Sequence, residues 1–150
     1  MQLLSFAGID YLYLDFTNAN MNGKNPVNLY PKATYALMDV ILEMQAKGYN
    51  VPKIVPMVCN NTQSDQTIMK VVEWVYNNYY AYNNFRYKSC WFTADPVRNP
   101  SGKPLVTGNL SETTEHLDAA WYIPLQWPNP NLPYNDNALP WIDWSVKNIQ

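Results

Sequence analysis

Cysteine, histidine and charge are all scarce in this chain of 150 residues. Its two cysteines, Cys59 and Cys90, belong to no Cys-x-x-Cys or Cys/His cluster, which excludes a disulfide scaffold and a thiolate metal site. The single histidine, His116, cannot build a multi-histidine metal centre, and no serine or cysteine shows the partner arrangement of a nucleophile triad. Ten Lys and Arg stand against twelve Asp and Glu, giving a formal net charge of -2 and a sequence pI of about 5.2. Such a surface has no cationic track for a phosphate backbone, so general nucleic-acid binding is excluded. Long apolar runs are missing too: Ile54-Val55-Pro56-Met57-Val58 falls far short of the roughly 18 residues of a membrane span. The opening Met1-Gln2-Leu3-Leu4-Ser5-Phe6-Ala7 has no basic n-region and runs into a strand pattern, so it does not read as a secretory signal.

What the chain has in quantity is apolar surface and neutral polarity. Hydrophobic residues make up 47 % and aromatic residues 15 %, enough for a core and too much for a disordered chain. Nineteen Asn accompany 12 Tyr, 6 Trp and 12 Pro. Amides suit the hydroxyls of sugars and flat rings suit their C–H faces, although a biased genome gives the same Asn excess.

The order of patterns predicts an α/β fold. From Ile9 to Phe16 the residues Ile9, Tyr11, Leu12, Tyr13, Leu14 and Phe16 form a nearly continuous apolar run, the pattern of a strand buried on both faces, which Asp15 interrupts near its end. After a Gly, Asn and Pro-rich loop, Pro31 is placed to open a helix whose apolar positions Ala33, Leu37, Val40, Ile41 and Met44 recur until Gly48. Val51 to Cys59 is a second strand, and Ser64 can cap a helix whose inner face is Ile68, Val71, Val72, Val75 and Tyr79. Gly102 to Gly108 reads as a short strand, Ser111 to Ala120 as a short helix, and Tyr122 to Gln126 as a further strand. Alternation of this kind implies parallel strands joined by right-handed crossovers. No Gly-x-Gly-x-x-Gly follows the first strand, which removes the usual support for nucleotide binding. A (β/α)8 barrel takes about 250 residues, so the units here amount to roughly half of one. Half a barrel leaves two unpaired edges; the chain is then part of a longer protein, closes by forming a homo-oligomer, or keeps an open sheet. A start almost at a buried strand and a stop without a final helix favour the first expectation.

Five segments in one order carry a resemblance: Leu14-Asp15-Phe16-Thr17-Asn18, Pro52-Lys53-Ile54, Tyr76-Asn77-Asn78-Tyr79-Tyr80, Gly102-Lys103-Pro104-Leu105 and Pro140-Trp141-Ile142-Asp143-Trp144. Together, over roughly residues 9–150, they resemble glycoside hydrolases of the family 71 and family 99 type, gut-bacterial (β/α)8-barrel proteins. The resemblance implies a single partial barrel domain acting on or binding α-linked glucans or mannans, an exported or periplasmic location, and two carboxylates for general acid/base hydrolysis in the complete enzyme. It implies no metal or organic cofactor. The Trp and Glu-containing segment that bears the family's catalytic acids has no counterpart here; Glu112 and Glu115 match its spacing but not its context.

Asp15 is the first catalytic candidate, because a carboxylate at the C-terminal end of a parallel barrel strand faces the mouth where barrel enzymes work. The plainer reading is that it braces the next loop through Thr17 or Asn18. Asp143, between Trp141 and Trp144, is the second; a separation of about 5 Å from Asp15 suits retention and about 6.5–9.5 Å inversion. Asn18, Asn60 and Asn61 follow strand ends and can serve sugar hydroxyls or simply form turns. Trp127, Trp141 and Trp144, in a Pro and Trp-rich loop over 124–144, are stacking platforms or the packing of a lid. His116 reads as a surface helix residue and Cys59 as a small buried hydrophobe. Two rival classes stand beside the hydrolase: a non-catalytic carbohydrate-binding protein that uses the Trp loop, and an open α/β protein-interaction module.

Overall fold

A computed structural model describes residues 1–59, 65–93, 102–109, 121–126 and 139–140. A short helix α1 (Gln2–Phe6) precedes strand β1 (Tyr11–Phe16), an antiparallel ribbon of β2 (Asn20–Asn22) and β3 (Asn25–Val27), helix α2 (Pro31–Ala46), strand β4 (Lys53–Cys59), helix α3 (Asp65–Val75), and strands β5 (Leu105–Asn109), β6 (Trp121–Gln126) and β7 (Leu139–Pro140). The main sheet runs in the order β1-β4-β5-β6-β7, with every neighbouring pair parallel. The class is α/β, as the pattern implied. Spatial order follows chain order among the described strands, so the sheet shows no reversal of the kind at which doubly wound sheets bind nucleotides. No helix among the described residues is long and apolar enough to cross a membrane.

Register separates the two faces of the sheet. Leu12 pairs with Ile54, Phe16 with Val58, and Met57 with Thr107. Period-2 alternation then puts Leu14, Phe16, Ile54, Val58 and Val106 on one face. These residues share a single apolar cluster with Met38 and Ile41 of α2 and with Ile68, Val71, Val72 and Val75 of α3. Both helices therefore cover the same side. The expected inner face of α3 holds, whereas α2 is rotated from its expected stripe: Ile41 is buried and Leu37 and Met44 half-buried, but Ala33 and Val40 are exposed and Thr34 and Met38 take the buried positions. Gly48 ends α2 with φ of 85°, its N–H donating to Gln45 O while that of Tyr49 donates to Met44 O.

The other face corrects one expectation. β1 is not buried on both faces: Tyr11, Tyr13 and Asp15 are exposed, while Leu12 and Leu14 are half-buried and Phe16 is buried. β1 is an edge strand of the described sheet, so its outward-facing row lacks the neighbours that bury Val55 and Met57 one strand further in. The loop after β1 differs as well, because it forms a hairpin. Asn22 pairs with Asn25 across Gly23 and Lys24, and Gly23 has φ of 63°, the glycine-first arrangement of a two-residue turn.

The region after α3, hard to read from sequence, has a definite construction. α3 runs into a π-turn over Tyr76–Tyr80 whose widened register turns both Tyr79 and Tyr80 into the core. Tyr82, by contrast, stays exposed. The chain then returns through buried Tyr87, Cys90 and Trp91; Trp91 forms a parallel bridge with Ile54, and the N–H of Phe92 donates to Ile54 O at 3.1 Å. β5 takes over as the neighbour of β4 only from Met57 onward. Pro56, which lacks an N–H, sits where β4 changes partner, and there a missing donor does least harm.

Burial in this core has a consequence at high pH. Desolvation pushes the phenol of Tyr79 from an ordinary 10.0 to about 12 and the thiol of Cys90 from 9.0 to about 11, and it raises Tyr35, Tyr80 and Tyr87 as well. The unfolded chain loses these protons first, so the folded state holds more protons in this range and stability falls as pH rises. The contribution is whole below about pH 9 and is lost towards about pH 12. Urea midpoints measured across pH should be level near neutrality with respect to these groups and decline through that window.

Candidate functional site

The end of β1 is where the sequence candidates meet the structure. Asp15 Oδ1 accepts the backbone N–H of Thr17 at 2.9 Å and the Thr17 hydroxyl at 2.6 Å. This is the loop-bracing arrangement, and it leaves the side chain exposed at the C-terminal end of a parallel strand. Asn18 is exposed beside it, and its carbonyl accepts the side-chain amide of Asn28 at 3.0 Å, which ties the start of the hairpin to its end. Asp15 and Asn18 are thus both exposed at the C-terminal end of β1, each held by a different partner. Asn60, Asn61, Trp127, Trp141, Asp143 and Trp144 lie outside the described residues, as do His116, Glu112 and Glu115, Ser64 as a helix cap and the helix expected over 111–120.

Because Oδ1 takes two donors from one residue, Asp15→Ala should lower stability by about 1 kcal/mol. That corresponds to about 2–4 °C in Tm for a chain of this size. Asp15→Asn retains an oxygen acceptor and should cost distinctly less. Thermal unfolding followed by circular dichroism checks the order of the two.

Two residues belong to this site that the apolar-run reading absorbed into the core. Tyr11 and Tyr13 lie on the same face of β1 as Asp15, about 40 % and 41 % exposed. Their rings meet edge-on at 5.3 Å, and Phe92 leans against Tyr11 at 5.2 Å, so Tyr11 is held between two rings. Desolvation, then the neighbouring Tyr11, raises the Tyr13 phenol to about 12, so its hydroxyl keeps its proton throughout the neutral range. Lys53 is the register neighbour of Tyr11 on β4, and its ammonium donates to Ser89 O. The signal for this row was present in the sequence: Tyr-Leu-Tyr-Leu-Asp-Phe alternates side chains with a polar tip against purely apolar ones.

The arrangement offers a carboxylate, a protonated phenol and two ring systems in a line that ends at a strand terminus. Chemically, it can accept from and donate to hydroxyls and can stack against an apolar ring face. Two-carboxylate hydrolysis requires a second carboxyl at one of the two characteristic separations, and Asp143, the residue considered for that part, is outside the described residues. No group of His, Cys, Asp and Glu among the described residues could hold a metal ion. Comparison with protein families, with curated proteins and with solved structures finds no match for this chain.

Proposed function

We propose that the sheet is an arc of a (β/α)8 barrel of the glycoside-hydrolase type, and that it binds α-linked glucan or mannan against the exposed face of β1 at the strand ends. The observation that carries this reading is the alignment of Tyr11, Tyr13 and Asp15 on the face of the sheet opposite α2 and α3. A chain-ordered parallel sheet with its helices on one side is how barrels are wound, and barrels use the C-terminal ends of their strands. A further strand, from the rest of a barrel or from a second copy of the chain, would continue the sheet beside β1, the edge strand among the described ones. Hydrolysis by Asp15 as one member of a carboxylate pair, with Asp143 as the other, is the catalytic form of the proposal; stacking on Trp127, Trp141 and Trp144 with hydroxyl contacts from Asn18, Asn60 and Asn61 would complete the site.

The experiment is titration calorimetry of the purified chain with α-linked gluco- and manno-oligosaccharides, paired with a reducing-sugar assay. Binding in the wild type, weakened about tenfold or more in Tyr13→Ala, supports the site. Turnover that disappears in Asp15→Asn supports the hydrolase, and binding without turnover supports a carbohydrate-binding protein. Absence of binding to either glycan series overturns the proposal and, with tight self-association, favours an interaction module.

A further inference from the structure

The link from β1 to α2 holds an exposed aromatic ring on a strained backbone. Leu29 is 1 % exposed, and its carbonyl accepts the hydroxyl of Tyr79 at 2.6 Å and that of Thr34 at 3.4 Å. On either side of this anchor, Asn28 and Tyr30 have φ of 58° and 47°. The left-handed region is costly for a tyrosine, whereas glycine adopts it freely. Tyr30 also precedes Pro31, where extended backbone is the rule, and it occupies the N-cap of α2 without making a side-chain capping bond. Glycine would relieve the backbone, and Asn would suit both the conformation and the cap. The tyrosine ring gains little from packing in return, since the residue is 58 % exposed. Strain maintained at an exposed aromatic points to a contact with something outside the chain.

The adjoining hairpin has the same outward character. Asn20, Asn22 and Asn25 fill three of the six strand positions in β2 and β3, although Asn is a poor strand former. All three are exposed. Register sets Asn22 opposite Asn25 and Asn20 opposite Val27, so the amides share one face of the ribbon, while Met21 packs against the core. The arm that begins at Asp15 is therefore anchored through Met21 and Leu29 and shows amides and one ring outward.

We infer that Tyr30, with Asn22 and Asn25, forms a distal glycan contact that extends the strand-end site along an oligosaccharide. The ring takes the C–H face of a pyranose, and the amides supply both donors and acceptors to its hydroxyls. This inference rests on the carbohydrate reading above and adds a preference for chain length.

The test is calorimetry of wild type, Tyr30→Phe, Tyr30→Gly and the pair Asn22→Ala/Asn25→Ala against a size series of α-linked gluco- and manno-oligosaccharides. Wild-type affinity should rise with chain length, and Tyr30→Phe should keep that rise. In Tyr30→Gly the gain should vanish, about tenfold for the longest members, while the shortest oligosaccharide that binds keeps its affinity. The same variant should melt about 3 °C higher, because glycine releases the left-handed strain. Loss of the length gain in the Asn pair, with Tm unchanged, supports the amide contribution. A wild type that binds while Tyr30→Gly matches it at every length overturns the distal contact and leaves the strand-end site standing. A wild type that binds no member overturns both.

Discussion

Truncation of Tyr79 to alanine should lower stability by about 3–5 kcal/mol, a large part of the 5–15 kcal/mol typical of a whole domain. The ring is fully buried and packs against residues from three elements: Phe16 of β1 at 6.2 Å, Tyr35 of α2 at 5.4 Å and Trp74 of α3 at 5.2 Å. Its hydroxyl also holds Leu29, the anchor of the β3–α2 link. Tyr79→Phe separates these contributions. It keeps the ring and removes the 2.6 Å donor to Leu29 O, leaving only the Thr34 hydroxyl, which is shared with Tyr30 O at 3.1 Å and reaches Leu29 O at 3.4 Å, so the cost should be about 1–2 kcal/mol. Urea denaturation with an unchanged slope measures both. An alanine variant within about 1 kcal/mol of wild type would mean that the π-turn does not place this ring at the junction of the three elements.

Ile54→Ala should cost about 2–5 kcal/mol. Ile54 is fully buried on the helix-covered face of β4, paired with Leu12 on one side and bridged to Trp91 on the other, so a cavity there has little freedom to close. Tyr11→Ala, on the opposite face of β1, removes a larger side chain from a residue 40 % exposed and should cost no more than about 1 kcal/mol. The inequality tests the two-sided character of the sheet. Similar losses in the two variants would indicate that the tyrosine row is covered in solution.

The fold was legible where periodicity and punctuation agree. Pro31 and Gly48 bracket α2, the apolar stripe of α3 faces inward, and the β-branched run of β4 is buried. Sequence was less informative where one residue type serves two environments. Tyrosine counts as apolar in a run, yet Tyr11 and Tyr13 line an open face, and only their alternation with Leu12 and Leu14 distinguishes an edge strand from a central one. The hairpin over 20–27 was hidden because its strand positions are rich in Asn, which composition assigns to loops. The left-handed backbone of Asn83, Asn84 and Phe85, which follows the π-turn, has no periodic signature. At the site, Asp15 was identifiable by being a carboxylate inside an apolar run. Its bond to Thr17 had been one of two readings, and the short two-residue spacing is what allows it.

The central claim, that carbohydrate lies against the exposed face of β1 at its C-terminal end, is tested most directly by amide hydrogen exchange with and without saturating α-linked oligosaccharide. Exchange should slow across residues 11–18 and at the hairpin, while the buried amides of α3 around Val71 and Val72 stay as they were. Unchanged exchange over residues 11–18, with protection appearing elsewhere or nowhere, would contradict the account.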